Sequence, residues 1–315
     1  MKYAKIGGQA VMEGIMMRNG DDYAVAVRKS DGTIEIKEDK YIGLAKKLHL
    51  RKVPIIRGMF AFVDSLVLGM QCLTYSATFF EEEDEGEKSR SEKPPKKQKD
   101  TEKTDKIIMG FTVLFSIIIA IALFMVLPFF ISSIFKKHVE SSFLLALVEG
   151  IIRIAIFLTY IFAISRMKDI QRVFMYHGAE HKTINCIEHG VELTPENALS
   201  YSRLHKRCGT SFLLIVMVIS IIFFMFLRFD NMIMKVVFRI LLVPVIAGVS
   251  FEIIQWAGRS ESKLVSLISK PGMWLQGLTT REPDAAMIEV AIAAVEKIYD
   301  WRAFQEEVKN GETEY

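Results

Sequence analysis

Cysteine is scarce in this sequence, with three residues among 315. An odd number of cysteines without framework spacing argues against a disulfide-stabilised fold and fits a reducing compartment. The formal net charge is also small, at +3, and no basic helix carries interleaved aromatic residues, so nucleic acid is not an expected partner. Because no apolar core follows the first eight residues, we expect no cleavable secretory signal.

Apolar residues, by contrast, make up 51% of the chain. A membrane-spanning helix needs about 20 mostly apolar residues, and four segments meet this requirement: 107–130, 142–165, 211–229 and 236–257. The sequence therefore predicts a mainly α fold, a polytopic membrane helix bundle of about four transmembrane helices, with the lipid bilayer as its first partner.

The distribution of lysine and arginine predicts the orientation of these spans. Basic residues are frequent in the first hundred positions and in the loop 166–210, whereas the connections 131–141 and 230–235 are short. Positively charged flanks stay in the cytoplasm. We therefore expect a multi-pass protein of the cell membrane with both termini and the loop 166–210 on the cytoplasmic side.

The sequence predicts four regions along the chain. Residues 1–79 are predicted to form a cytoplasmic region with a small β-hairpin, 22–28 and 33–37 around Gly32. An amphipathic helix, 54–79, follows, and we expect it to lie on or dip into the cytoplasmic leaflet. The alternative is a fifth crossing, which would put the basic N-terminal region outside, against the loop charges. Residues 80–105 are highly charged and predict a disordered linker. The four-helix transmembrane domain is expected over 106–260, and a cytoplasmic helical segment over 261–315, with a turn at Pro271 and an amphipathic helix over 284–308.

The segment from His177 to His181 carries the strongest chemical signal. It reads His-Gly-Ala-Glu-His, the H-x-x-E-H form of a zinc-protease helix signature. Four-residue spacing puts the two imidazoles on one helix face, where they can start a zinc site. Glu180 is then the expected general base, the group that takes a proton from water.

A zinc site needs at least one further ligand, and the sequence offers three candidates. His205 and Cys208 are three residues apart, just before the third predicted span. Glu252 lies in the fourth span, and a carboxylate inside an apolar run is costly unless it is paired, protonated or bound to a metal. We keep all three as candidate ligands beside His177 and His181.

The glycine-rich run from Gly7 to Arg18 has no phosphate-loop spacing, which excludes a nucleotide site of that type. Two interpretations remain open. In the first, glycine permits close backbone approach, so that Gln9, Glu13 and Arg18 reach the histidine cluster from a loop. In the second, the run is a tight turn beneath the hairpin.

Two functions follow. The first is a membrane-embedded zinc hydrolase with its site at the cytoplasmic membrane face, acting on a peptide or lipid-linked substrate. The alternative is a non-enzymatic membrane assembly factor that binds a membrane protein partner and holds a structural metal or none. Coordination separates them, because a catalytic zinc keeps an open position whereas a structural zinc is closed by four protein ligands.

Several motifs together make the sequence similar to the YqhQ-like family of bacterial integral membrane proteins. The resemblance covers nearly the whole chain and implies a membrane protein; the family is sometimes labelled a predicted metal-dependent enzyme. One departure is Lys206, where the family motif has proline. The motifs are GGQAVMEGIMMR (7–18), MYHGAEHKTI (175–184), LTPEN (193–197), HKRCGTSF (205–212), PVIAGVSFE (244–252) and PGMWLQGLTTREP (271–283).

Overall fold

The computed structural model describes residues 3–50, 52–88, 98–139, 141–227, 231–257 and 262–309. Four strands lead the chain: β1 (Ile6–Val11), β2 (Gly14–Asn19), β3 (Asp22–Arg28) and β4 (Ile34–Lys40). The helices are α1 (Leu44–Lys47), α2 (Ile56–Lys88), α3 (Gln98–Ile121), α4 (Leu127–Ile134), α5 (Ser142–Ile164), α6 (Lys168–Glu188), α7 (Pro195–Leu199), α8 (Gly209–Met225), α9 (Met232–Ala257), α10 (Lys263–Thr279), α11 (Ala285–Ile298) and α12 (Trp301–Lys309). A π-helical turn, Ala122–Val126, joins α3 to α4, and a 3-10 turn, Phe135–Lys137, follows α4.

The chain divides into two compact units. The first comprises Met1–Glu81, Phe162–Val216 and Pro244–Tyr315, and the second comprises Glu82–Ile161 and Met217–Val243.

The first unit is built on an antiparallel sheet with strand order β1-β2-β3-β4. The predicted hairpin is confirmed as β3 and β4. The glycine-rich run forms two further strands, β1 and β2, joined by a turn in which Glu13 has a φ of +47°. Neither sequence interpretation included these strands, because glycine at positions 7, 8 and 14 hides the alternation of apolar and polar residues.

Helices cover both faces of this sheet. Along each strand, successive side chains point to opposite faces. Ile15, Met17 and Ala26 therefore belong to one core with α6 and α11. Met16 and Val25 point the other way and pack with Leu68 and Cys72 of α2.

The side chains of the glycine-rich run lie against other partners than the histidine cluster. Glu13 pairs with Arg172, and Arg18 donates a hydrogen bond to the carbonyl of Gly20, 2.8 Å away. Gln9 lies against Gly69 of α2, where a Cβ would come within 2.5 Å of its side-chain oxygen. The expected close approach is made by the backbone at Gly8, where a Cβ would be 2.9 Å from Cδ of Glu180, and not by these side chains.

Among the described residues, four helices are long and apolar enough to cross a membrane: Ile56–Phe80, Gly110–Lys137, Ser142–Ile164 and Ile233–Ala257. Three of them match predicted spans. The predicted span 211–229 is a shorter apolar helix, Gly209–Met225, while the predicted surface helix 54–79 reaches spanning length. The prediction of a mainly helical fold with about four apolar helices and a small N-terminal sheet is thus confirmed.

Two local predictions in the C-terminal region need correction. The predicted turn at Pro271 is wrong, because α10 continues through this proline to Thr279. The predicted helix 284–308 is two helices, α11 and α12, separated at Tyr299 and Asp300. Ile288, Val295 and Trp301 are buried all the same, so the amphipathic pattern identified the core face correctly.

The predicted linker 80–105 overlaps the end of α2 and the start of α3. Its central part, residues 89–97, lies outside the described residues.

A buried charge cluster lies in the second unit. The Glu149 carboxylate accepts a hydrogen bond of 2.9 Å from Arg153 and one of 2.8 Å from Arg239. All three side chains are at least nine-tenths buried. Charged groups inside apolar helices are stable only when paired, and these pairs supply the compensation.

Candidate metal centre

Helix α6 carries both histidines on one side and core residues on another. Tyr176, Ala179 and Ile187 are buried against the sheet and α11, which sets the rotation of the helix. His177 and His181 then lie one turn apart, with ring centroids separated by 4.4 Å. His181 is fully buried, while His177 is the partly exposed member of the pair.

Backbone carbonyl groups orient both imidazole rings. Nδ1 of His177 lies 2.9 Å from the carbonyl oxygen of Thr279, and Nδ1 of His181 lies 2.7 Å from that of Arg203. Because a carbonyl oxygen only accepts hydrogen bonds, Nδ1 carries the proton in each ring and Nε2 keeps its lone pair. Protein metal sites commonly use this arrangement to orient histidine ligands.

Cys208 supplies a sulfur atom to the same point. Its Sγ lies 3.2 Å from Nε2 of His177 and within 4.8 Å of a ring nitrogen of His181. Cys208 directly precedes α8, and the backbone N–H of Thr210 donates to the sulfur at 3.4 Å. The Thr210 hydroxyl is 3.1 Å from the same atom. These two contacts fix the position of the sulfur atom at the start of the helix.

Side chains of α6 and α10 hold the loop that delivers this cysteine. The amide of Asn185 donates to the carbonyls of Ser202 and Leu204, at 2.7 and 3.1 Å. Lys182 donates to two further carbonyls of the loop, those of Leu199 and Tyr201. On the other side, Gln276 exchanges two hydrogen bonds with the backbone of His205.

One potential metal-binding group occurs among the described residues: His177, His181 and Cys208, with one donor atom from each and all within 4.8 Å of one another. Two imidazole nitrogens and a thiolate are donors that suit zinc. Around a tetrahedral zinc, neighbouring ligand atoms are separated by about 3.3–3.8 Å. The set therefore needs only a small contraction to hold an ion.

Glu180 lies on the same helix, outside this donor group. Its side chain is buried, and its Oε1 accepts a hydrogen bond of 3.0 Å from the backbone N–H of Gly8 in β1. Burial raises the pKa of Glu180, and the nearby imidazoles of His177 and His205 act in the opposite direction. A carboxylate with a raised pKa takes up a proton more readily, as a general base requires.

The structure does not bring the other two candidate ligands into the group. Nε2 of His205 lies 3.2 Å from the buried carboxylate of Glu188, which also pairs with Arg207. Burial lowers the pKa of His205, partly offset by the charge of Glu180. Glu252 accepts hydrogen bonds from Arg57 and from the backbone N–H of Ile55. These partners, and not a metal ion, compensate the charge of its carboxylate.

Three supporting residues were missed by the sequence reasoning: Gly8, Asn185 and Gln276. Gly8 and Gln276 lie in two of the motifs named above. Their hydrogen-bond partners, Glu180 and His205, are 172 and 71 residues away along the chain. A single sequence carries no signal for such pairings. Asn185 was visible as the residue four positions after His181 on the same helix face.

Comparisons with known proteins agree with the motifs. The profile of a family described as "Protein of unknown function (DUF1385)" matches residues 53–301. The chain is also 30% identical over 310 residues to "Uncharacterized protein YqhQ" of Bacillus subtilis (strain 168), an alignment that covers 96% of this chain and 94% of that protein. No solved structure matches. Neither description assigns a metal or a reaction. The resemblance inferred from the motifs is confirmed, and the chain belongs to the DUF1385 family.

Proposed function

We propose that this protein is a membrane-bound, zinc-dependent hydrolase in which His177, His181 and Cys208 bind the ion and Glu180 is the general base. The observation that carries the proposal is the convergence of the three donor atoms within 4.8 Å, with both rings oriented by backbone carbonyls.

The hydrogen-bond inventory of these groups supports a cation. Each ring has its proton on Nδ1, so both Nε2 atoms need a donor or an ion. A thiol has one proton and can satisfy one of them. Burial lowers the pKa of His181, which disfavours a second proton on that ring. A metal ion resolves the mismatch, because it accepts all three lone pairs at once.

The number of ligands favours a catalytic site over a structural one. A structural zinc is closed by four protein ligands, whereas a catalytic zinc has three and keeps one position for water or substrate. Three donors converge here among the described residues. His205 and Glu252, which could have closed the site, are engaged with Glu188 and Arg57.

The chemistry follows from these roles. A zinc ion in this group would polarise a scissile carbonyl and make water more acidic. Glu180 takes the proton from the attacking water as the new carbon–oxygen bond forms. It then delivers the proton to the departing amine or alcohol as the old bond breaks. The partly exposed edge of His177 offers access for substrate.

The substrate class is inferred from position. Cys208 immediately precedes the apolar helix α8, so a substrate reaches the ion close to the membrane surface. Together with the basic loop 166–210, this supports a peptide or lipid-linked substrate bearing an amide or ester on the cytoplasmic side.

Metal analysis tests the proposal independently of substrate. The full-length protein, purified in detergent without chelators, is expected to hold about one zinc ion per chain, and His177→Ala and Cys208→Ser are expected to lose it. Glu180→Gln should keep the metal while losing hydrolysis of any substrate found, since the base and not a ligand is changed.

Glu252→Gln is the matched control, because it alters a carboxylate outside the donor group and should leave the metal content unchanged. Cobalt replacement adds a second readout: a sulfur-to-cobalt charge-transfer band should be present in the wild type and absent in Cys208→Ser. Wild-type protein that neither contains zinc nor takes up cobalt would refute the proposal. A metal that also disappears in Glu252→Gln would favour the closed, structural site of the assembly-factor alternative.

A further inference from the structure

Helix α2 has two faces with different environments. Leu68 and Cys72 are buried in the core beneath β2 and β3, and the hydroxyl of Ser76 accepts a hydrogen bond from the backbone N–H of Met12. The opposite face is exposed and apolar. Its large exposed side chains are Val63, Leu66, Val67, Met70 and Leu73.

The sheet that covers the first face is polar enough to exclude α2 from the centre of a bilayer. The ammonium groups of Lys29 and Lys37 lie 5.8 and 5.1 Å from the rings of Phe79 and Tyr75. Strand β4 ends in exposed charged residues. Charged groups and the edge of an open sheet are not stable in hydrocarbon. The second half of α2 therefore lies at a water-accessible level, although its length and composition would allow a crossing.

The first half of α2 is also flanked by polar structure. The buried Asp64 accepts hydrogen bonds from the backbone N–H of Leu44 and from the hydroxyl of Tyr41. Gly43 lies so close that a Cβ would be 2.4 Å from the Asp64 carboxylate. Asp64 thus holds the segment from Tyr41 to Leu44, which leads into α1, against α2.

The segment 42–57 combines basic and exposed apolar residues. It contains five lysine and arginine residues and no aspartate or glutamate. Lys46 pairs with Asp21 and Arg57 with Glu252, while Lys47 and Lys52 are exposed. Large apolar side chains are exposed between them: Ile42, Leu44, Leu48, Val53, Ile55 and Ile56. Such a mixture is typical of segments that bind anionic lipid headgroups.

The surface adjoins a candidate membrane span. Gly58 of α2 lies against Gly248 of α9, where a Cβ on Gly58 would be 2.9 Å from the Gly248 carbonyl oxygen. The Arg57–Glu252 pair joins the same two helices. The start of α2 is therefore attached to the Ile233–Ala257 helix, next to which lipid is the natural neighbour of an apolar face.

We propose that α2 does not cross the membrane but lies in its surface, with the Val63–Leu73 face among the lipid chains and residues 42–57 against anionic headgroups. The apolar face carries no charge, and the flanking segment carries only positive charge. The complementary partner is a lipid surface that contains phosphatidylglycerol or a similar anionic lipid.

Depth measurements with spin labels test this placement. Single cysteines replace Val63, Leu66, Met70 and Leu73 in the full-length protein, reconstituted in phosphatidylcholine vesicles with increasing phosphatidylglycerol. Labelled wild type gives the background from the native cysteines. Collisions with oxygen and with a water-soluble nickel complex report the depth of each label. We expect four similar, shallow depths, and a deep position for the control Leu241→Cys on α9.

A depth that rises and then falls along α2 would mean a crossing and would overturn the proposal. Labels freely accessible to nickel along α2 would also overturn it, since a water-exposed face is not covered by lipid. For the headgroup contact, a label at Leu48→Cys should move deeper as phosphatidylglycerol increases, and Lys47→Gln with Lys52→Gln should abolish the shift. A Leu48 label insensitive to anionic lipid would refute that part.

Discussion

At Gly8 the backbone of β1 lies directly against the Glu180 carboxylate. A Cβ at this position would be 2.9 Å from Cδ of Glu180 and 2.7 Å from the carbonyl oxygen of Met16. We predict that Gly8→Ala lowers the free energy of unfolding by about 1–3 kcal/mol, the usual cost of overpacking. If Glu180 is the base as proposed, Gly8→Ala should also impair hydrolysis while zinc stays bound, because it displaces Glu180 and none of the proposed ligands.

Gly7→Ala is the matched control, since no atom lies within 4 Å of a Cβ built at Gly7. Thermal unfolding of the two variants in the same detergent provides the comparison. Equal melting temperatures for Gly7→Ala and Gly8→Ala would contradict the close packing of β1 on α6.

The cysteines provide a second prediction at the residue scale. Burial raises the pKa of Cys186 to about 11, so only about one molecule in a thousand carries the thiolate at pH 8, and alkylation there should be very slow. Cys208 should be protected by a bound metal. We predict that chelation accelerates alkylation of Cys208 at least tenfold and leaves Cys186 unmodified, as measured by peptide mass spectrometry.

The pH dependence of alkylation provides a further check on Cys186. Alkylation of Cys186 should accelerate about tenfold for each pH unit and level off only above pH 11, because the thiolate fraction grows in this way up to the pKa. Identical Cys208 rates with and without chelator, in protein shown to contain zinc, would exclude the sulfur from the ligands.

How far the site was predictable depends on the distance along the chain between its parts. His177, Glu180 and His181 lie within five residues of one helix, and the periodicity of 3.6 residues alone places them together. Cys208 was one of three further candidates, and only the folded loop distinguishes it from His205 and Glu252. His205 and Glu252 are excluded because they pair with Glu188 and Arg57, and no spacing rule predicts these pairs.

At the scale of elements, the geometry of the proposed metal centre depends on the hydrogen bonds between α6 and the loop 199–208. Asn185 satisfies two carbonyls of this loop, and removal of a buried donor costs about 1–3 kcal/mol. We predict that Asn185→Ala destabilises the protein by that amount and weakens zinc binding by about 10–100-fold, as expected for loss of a group that orients ligands. A competition titration with a zinc-binding dye measures the affinity.

Gln171→Ala is the control on the same helix. Its amide donates to the Arg166 carbonyl at an exposed position, so the change should stay within about 0.5 kcal/mol. Unchanged zinc affinity in Asn185→Ala would show that the loop positions Cys208 without the hydrogen bonds from Asn185.

Elements were predictable where their pattern was regular. The apolar runs gave α5 and α9 nearly residue for residue, and strict alternation gave β3. Strands β1 and β2 were missed because their glycines remove the side chains from which alternation is read. The turn expected from Pro271 and Gly272 is absent, because buried Leu275 and Gln276 hold the following turn of α10 in place.

At the scale of the whole molecule, the number of crossings decides where the termini lie. If α2 lies in the membrane surface, the crossing helices are Gly110–Lys137, α5, α8 and α9, an even number. Helix α8 has 17 residues and is about 26 Å long, at the lower limit for a bilayer with a hydrocarbon core of about 30 Å. Both termini would then lie on the same side, and the distribution of basic residues in the loops predicts that this side is the cytoplasm. A crossing by α2 as well would make five and put the termini on opposite sides.

Reporter fusions measure this parity. We predict that a fluorescent protein which folds only in the cytoplasm is bright when fused to either terminus. Alkaline phosphatase, which is active only outside the cytoplasm, should be inactive at both positions. Phosphatase inserted between α4 and α5, at residue 139, is the positive control and should be active. Bright fluorescence at one terminus with phosphatase activity at the other would require an odd number of crossings. An odd number of crossings would mean that α2 crosses the membrane although the sheet packs on one of its faces. The proposal that the sheet and the candidate metal centre lie at one membrane surface would then lose its support.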